Sequence, residues 1–193
     1  MRILLSEDIW DFDLDQALTE ISDQRREQAL KFKHEQGRRL CVLAYQLLQR
    51  GLREEYGIEE SPVFEYSEHG KPSIAGHPEI YFNLSHCKYT AVCALSDSPV
   101  GIDVESVREY KESLARYTMN DDELQRILTA ERPDVAFIRF WTMKEALLKL
   151  TGDGISNNLK TVLADTADYH FNTIEAPDTR YLYTVCRPAF STK

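Results

Sequence analysis

The chain of 193 residues contains no apolar run approaching the ~18 residues that a membrane-spanning helix needs, so no membrane partner is expected. It lacks a CxxC pair or any Cys/His ligand spacing among Cys41, Cys87, Cys93 and Cys186. That argues against structural zinc and against a disulfide framework. Cys41 and Cys93 lie inside apolar segments, where a free thiol acts as a small core residue. Positive charge is also scarce. With 23 Lys and Arg against 32 Asp and Glu, the net charge is −9, which excludes a general nucleic-acid binder, whose phosphate contacts need a basic surface. A local basic pocket for one small anion remains open. Neither a Walker-type glycine loop nor a Rossmann glycine fingerprint is present. The start, "MRILLSEDIWDFDLD", turns acidic after five residues and has no long apolar stretch of a signal peptide. A soluble, cytoplasmic protein is expected.

What is present is enough for a core: 42% hydrophobic residues, with ten tyrosines and eight phenylalanines. That supports one large domain or two small lobes. Residues 2–5 read as a strand. "ISDQRREQALKFKHEQGRRLCVLAYQLLQRGLREEYGI" reads as one or two helices, capped by Ser22 or Asp23, with Leu40, Leu43, Ala44, Leu47 and Leu48 as the apolar stripe. Six of the 15 residues from Arg25 to Arg39 are basic, for most of them a solvated helix face. "EHGKPSI" and "GHPEIYFNLSHC" read as loops leading into a short strand. "YTAVCALS" and "VGIDVESV" read as two strands joined by "DSP" in an antiparallel hairpin. A helix is expected from about Asn120, then a second, apolar one ending at Gly152, then strands "LKTVLAD", "YHFNTIE" and "YLYTVCRPAF". The order predicts an α+β protein in two lobes, residues 1–98 and 99–193.

Two details carry chemistry. In "GIDVE", alternation sends Asp103 and Glu105 to one face of a strand and Ile102 and Val104 to the other. Two adjacent anions in a half-buried setting repel unless solvent, a cation or a basic partner intervenes. A hard divalent ion is a good counter-charge, since Mg²⁺ takes a few carboxylates and waters and completes its shell with phosphate. In "FWTMKEALLKLTGDGI", apart from Arg139 and Lys144, the polar residues shrink to a narrow arc of Thr142, Glu145 and Lys149. An i,i+4 Glu–Lys surface pair is the ordinary explanation, stabilising by a few tenths of a kcal/mol. The alternative is that Glu145 is a third carboxylate at the cation and Lys149 the site where phosphate oxygens collect. Trp141 reads as core packing.

"GIDVE", followed about 40 residues later by "FWTMKEALLKLTGDGI", resembles the signature of the 4′-phosphopantetheinyl transferases. "RREQALKFKHEQGRRL" resembles that family's basic N-terminal helix, "GKP" its lysine loop and "FNLSH" its Ser-His turn, so the likeness runs from about residue 22 to 155. The spacing is similar to the monomeric surfactin-synthetase-activating type. The resemblance implies two pseudo-symmetric α+β lobes with coenzyme A in the cleft between them. It implies Mg²⁺-dependent transfer of the phosphopantetheine arm of coenzyme A to a serine of an apo acyl- or peptidyl-carrier protein, with adenosine 3′,5′-bisphosphate released.

By position, Asp103, Glu105 and Glu145 match the Mg²⁺ ligands, and Lys149 the lysine at the pyrophosphate. Asp103 and Lys149 thereby also count among the coenzyme A contacts. Lys71, Ser85 and His86 match phosphate and nucleotide contacts, and Arg25 with Arg38 or Arg39 match basic residues near the phosphates. Glu145 is read either as the base for the serine hydroxyl or as a metal ligand alone. Adjacent Ser85 and His86 are not a nucleophile pair, because strand neighbours face opposite ways. Gln28 and Asp153 stand where many relatives carry cations, and the C-terminal strands are expected to be shortened. Two other readings compete: a binding module that has lost transfer, and an unrelated Mg²⁺-dependent nucleotide enzyme.

Overall fold

The structure, a computed structural model, describes residues 1–154 and 159–189. Ile155 of the apolar-helix motif and Phe190 of the last expected strand lie outside them. In chain order the elements are β1 (Arg2–Ser6), α1 (Leu14–Glu20), α2 (Asp23–Leu30), α3 (Glu35–Tyr56), β2 (Phe64–Tyr66), β3 (Pro72–Ile74), β4 (Tyr81–His86) and β5 (Ala91–Ser96). Then follow β6 (Gly101–Ser106), α4 (Glu112–Thr118), α5 (Asp121–Leu128), α6 (Pro133–Thr151), a 3-10 turn at Leu159–Thr161, β7 (Tyr169–Glu175) and β8 (Tyr181–Pro188). The chain is α+β.

The caps explain several boundaries. Ser22, rather than Asp23, caps α2 by accepting from the amide of Arg25. Asn120 and Glu123 form a reciprocal capping box at the start of α5. Pro133 opens α6, and Gly152, at φ 82°, closes it in the left-handed conformation that glycine adopts without penalty. Helices α1 and α4 lie where no helix was expected; α1 is announced by Asp13, whose carboxylate accepts from the amide of Gln16.

The first sheet has the order β1-β5-β4 and the second β6-β8-β7, both antiparallel, with β2 and β3 as a separate hairpin. Helix α3 covers one face of the first sheet, burying Leu40, Leu43, Ala44, Leu47 and Leu48. Ile3, Leu5, Val92 and Ala94 on its other face pack against Ile102, Val104 and Val185 of the second sheet. Helix α6 lies on the second sheet against β6 and β8.

Two expectations fail here. β5 and β6 are not a hairpin, because β1 and β4 already occupy both edges of β5, and β6 pairs instead with β8. "LKTVLAD" is not a strand. Its start turns at Leu159–Thr161, where the Lys144 ammonium donates to the carbonyl of Leu159 at 2.7 Å, and Val162 and Leu163 pack under α6.

The approach of α6 to β6 is set at Gly101. A β-carbon there would fall 2.0 Å from the carbonyl oxygen of Ala146 and 2.7 Å from the amide nitrogen of Leu150. Both obstacles are helix backbone, which cannot swing aside. Gly101→Ala is therefore expected to destabilise the protein by about 3 kcal/mol or more, the upper end of overpacking costs. Denaturant unfolding checks this, and an unchanged midpoint would mean that α6 lifts off the strand freely.

Candidate active site

The close packing of α6 on β6 brings Lys149 to Asp103. The Lys149 ammonium donates to Asp103 Oδ1 at 2.7 Å, to Ser85 Oγ at 3.0 Å and to the carbonyl of Ile102 at 3.2 Å. Three acceptors meet its three protons. Ser85 Oγ in turn donates to Asp103 Oδ1 at 3.0 Å. Asp103 is 5% exposed, and its Oδ2 has no partner; neither does the buried Oε1 of Glu145.

The acids feel one another. Burial, and then the charge of Asp103, pushes the Glu105 carboxyl up to about 7. Burial and the same charge also raise Glu145, with Lys149 pulling it back. Among the described residues no three His, Cys, Asp or Glu side chains converge closely enough to hold a metal outright. Even so, two buried carboxylate oxygens without partners, beside a third carboxyl whose ionisation burial and the Asp103 charge oppose, are a set of acids that a hard cation would balance.

Two cavities adjoin this cluster. One, of about 380 Å³, has Phe64, Phe82 and Leu148 among its lining, with Lys71 and Glu145 at its polar side. The other, of about 330 Å³, is lined by Ser85, His86, Asp103 and Glu105. Arg25, Gln28, Leu84 and Lys149 line both. Arg25 is 8% exposed, yet its acceptors are neutral: the carbonyl of Cys41 at 2.8 and 3.2 Å and Gln28 Oε1 at 2.9 Å. A buried cation paired only with neutral groups suits an anionic ligand. Lys71 reaches the C-terminus of α6 and donates to the carbonyl of Leu150 at 2.5 Å.

The model of the 4′-phosphopantetheinyl transferase superfamily matches residues 99–190. The 4′-phosphopantetheinyl transferase psf-1 of Bacillus pumilus is 35% identical over 161 residues, covering 82% of this chain and 69% of its own length. The chain belongs to the 4′-phosphopantetheinyl transferase superfamily. The 4′-phosphopantetheinyl transferase HetI of Nostoc is 34% identical over 171 residues, 79% of this chain and 72% of that one. The 4′-phosphopantetheinyl transferase Sfp of Bacillus subtilis is 28% identical over 161 residues, 82% and 72% respectively. The transferase is of the Sfp type.

Of the residues singled out from the sequence, Arg25, Lys71, Ser85, His86, Asp103, Glu105, Glu145 and Lys149 line these cavities. Arg38 and Arg39 line neither. Arg38 donates to the carbonyl of Phe32. Arg39 is spent on Glu35, on the carbonyl of Phe12 and on the faces of Trp10 and Phe12. Ser85 and His86 sit in β4, not in a turn. His86 packs edge-on to Phe32, and burial, then Arg25 and Lys149, push its imidazole down to about 4. It is neutral at pH 7, a hydrogen-bonding group rather than a cation.

The polar arc on α6 is less uniform than its spacing predicts. Thr142 is fully buried, bonded to the hydroxyl of Thr184 at 2.7 Å. Lys144, set aside as an exception, is 1% exposed and pairs with both oxygens of Glu123 at 2.8 and 2.9 Å. Glu123 also accepts from the amide of Asn120, so one carboxylate caps α5 and fastens it to α6. The N3 glutamate of the capping box was the only signal for this pair in the sequence.

Glu105 predicts a pH dependence of stability in the metal-free protein. The unfolded carboxyl ionises near 4.5 and the folded one near 7. Between those values the fold keeps a proton that the unfolded chain releases, so stability declines as pH rises from about 4.5 to about 7. Glu105→Gln should remove the share of that decline due to Glu105, while Glu145, raised as well, contributes its own share to variant and wild type alike. Unfolding in EDTA should find variant and wild type alike near pH 4.5 and the variant more stable at pH 8. His86, with its folded value below the ordinary 6.5, contributes the opposite trend equally to both.

Proposed function

We propose that this transferase moves the 4′-phosphopantetheine arm of coenzyme A onto a serine of an apo acyl- or peptidyl-carrier protein, with Mg²⁺ as cofactor and adenosine 3′,5′-bisphosphate as the other product. The observation that carries this reading is the meeting of Asp103 with Lys149 beside the unpartnered oxygen of Glu145. Segments some 40 residues apart there assemble acids for a divalent cation and a lysine for phosphate. Mg²⁺ held by Asp103, Glu105 and Glu145 would neutralise charge building on the pyrophosphate oxygens.

The residues of the chain do the rest. The serine oxygen forms its bond to the phosphorus that carries the pantetheine arm, and the bond from that phosphorus to the nucleotide half breaks. Lys149 stabilises the oxygens whose charge rises without giving up a proton. Arg25 and Lys71 face the remaining phosphate groups, while neutral His86 offers a hydrogen bond. Glu145 accepts the serine proton, directly or through a water, and its raised affinity for protons suits that task. Arg38 and Arg39, committed elsewhere, are left out. The enzyme acts as a cytoplasmic monomer in this reading, with residues 1–98 and 99–193 as its lobes, because one chain supplies both sheets and the walls of both cavities. No helix of the described residues is long and apolar enough to cross a membrane.

Intact-mass analysis of several apo carriers incubated with the protein, coenzyme A and Mg²⁺ should show one phosphopantetheine added, and none in EDTA. Lys149→Met should lower turnover by roughly 10²-fold or more at saturating substrates. Its stability should hold in Mg²⁺ and drop in EDTA, where the buried Asp103 is left without any cation. Wild-type turnover in this variant would return Lys149 to a structural role, and no modified carrier across the panel would overturn the transfer reading.

A further inference from the structure

Asp103, Thr184 and Thr173 stand opposite one another on β6, β8 and β7, so their side chains share the face of the second sheet on which α6 lies. Helix α6 meets that row with one stripe, Thr142, Glu145 and Lys149, at the i, i+3, i+7 spacing of a single helix face. The stripe is held at both ends. Lys149 donates to Asp103 Oδ1 at 2.7 Å, and the hydroxyls of Thr142 and Thr184 lie 2.7 Å apart, with that of Thr173 2.8 Å beyond. Thr142 and Thr184 are both fully buried. Proton count fixes the direction of this chain, because each hydroxyl has a single proton to give. Thr142 gives its own to the carbonyl of Arg139 at 3.0 Å. It therefore accepts from Thr184, which in turn accepts from Thr173.

We infer that Thr142 and Thr184 are positioning residues, which fix the setting of α6 on the second sheet so that Glu145 keeps its place beside Asp103 through turnover. Glu145 lies between two attachments of unequal kind. The one at Lys149 is ionic and belongs to the reaction, since the same ammonium serves the pyrophosphate oxygens and the same carboxylate serves the cation. It changes as substrate arrives and product leaves. The attachment at Thr142 is neutral, contains no group that ionises, and lines neither cavity. The Asp103 charge meanwhile acts on Glu145, and two acids facing each other push α6 away from β6 whenever no cation stands between them. The threonine pair opposes that displacement. Parting it would strand the Thr184 proton in a dry interior, with no water to replace the lost acceptor. Neither threonine touches substrate; both act through Glu145.

The inference rests on the role of Glu145 proposed above, and its test separates the two. In Thr142→Val the side chain keeps its shape and loses its hydroxyl. Turnover at saturating coenzyme A, carrier protein and Mg²⁺ should fall about tenfold or more, the scale on which partners that orient a metal ligand act. The KM for coenzyme A should stay within about twofold of wild type, because the cavity-lining side chains are untouched. Thr142→Ser keeps the hydroxyl and loses a buried methyl, so it should unfold at a lower temperature yet hold turnover within about twofold. A purely structural role would rank activity by stability instead. Turnover unchanged in Thr142→Val, or lost equally in Thr142→Ser, would overturn the positioning role and leave the transfer reading standing. Wild-type protein that modifies no carrier would overturn the transfer reading and this inference with it. A measurement on wild type guards against a variant that fails to fold. By NMR the Thr184 hydroxyl proton should exchange slowly with solvent and lie close to Thr142. Exchange as fast as at an exposed threonine would overturn the pin.

Discussion

The Lys149 ammonium, seated on Asp103 Oδ1, Ser85 Oγ and the carbonyl of Ile102, is the interaction on which the site depends. It joins α6, β6 and β4, three elements from distant parts of the chain. It also supplies the positive charge beside a buried carboxylate whose neighbours, Glu105 and Glu145, are acids as well. Without a cation at this point, burial and mutual repulsion would act together against the fold. The seat exists only because Gly101 lets the α6 backbone lie directly on the strand. A glycine with nothing chemical to offer therefore decides where a lysine can act.

Charge is distributed by task rather than by sign. In a chain of net charge −9, the buried cations divide into two groups. Lys144 is matched to Glu123 by a short two-oxygen contact, and its role is to tie α5 to α6. Arg25 is held by neutral carbonyl and amide oxygens, so its charge stays available to the two cavities it lines. The first arrangement cancels a charge inside the protein, and the second stores one for an anion. An acidic chain with cations kept at its cavities suits a small anion and gives no general affinity for nucleic acid.

The seam between the sheets shows how the fold accommodates such a site. Backbone pairing does not join β4 to β6, so the outward amides of Ile102 and Val104 need other acceptors. Asn83 and Ser85 satisfy the same amides with side-chain oxygens, and one of those oxygens also reaches the acid and the lysine.

Features governed by neighbours in sequence were legible from the sequence. The shared face of Asp103 and Glu105, the stripe of α3, the Asn120 cap and the Gly152 stop follow from spacing within one element, where local geometry dictates which side chains face together. The identity of the family also lay in short motifs. What the tertiary structure alone decided were choices among equal local candidates. "YTAVCALS" and "VGIDVESV" have the pattern of a hairpin, but a strand pairs with whichever edge is open, and both edges of β5 were taken. Lys144 and Lys149 lie on one helix, and Arg25 and Arg39 in one basic stretch. Which of each pair lines the cavities, and which is spent elsewhere, depends on packing against elements far along the chain. Residue type and spacing carry the chemistry a side chain can perform, whereas its partner is set by contacts that no local pattern records.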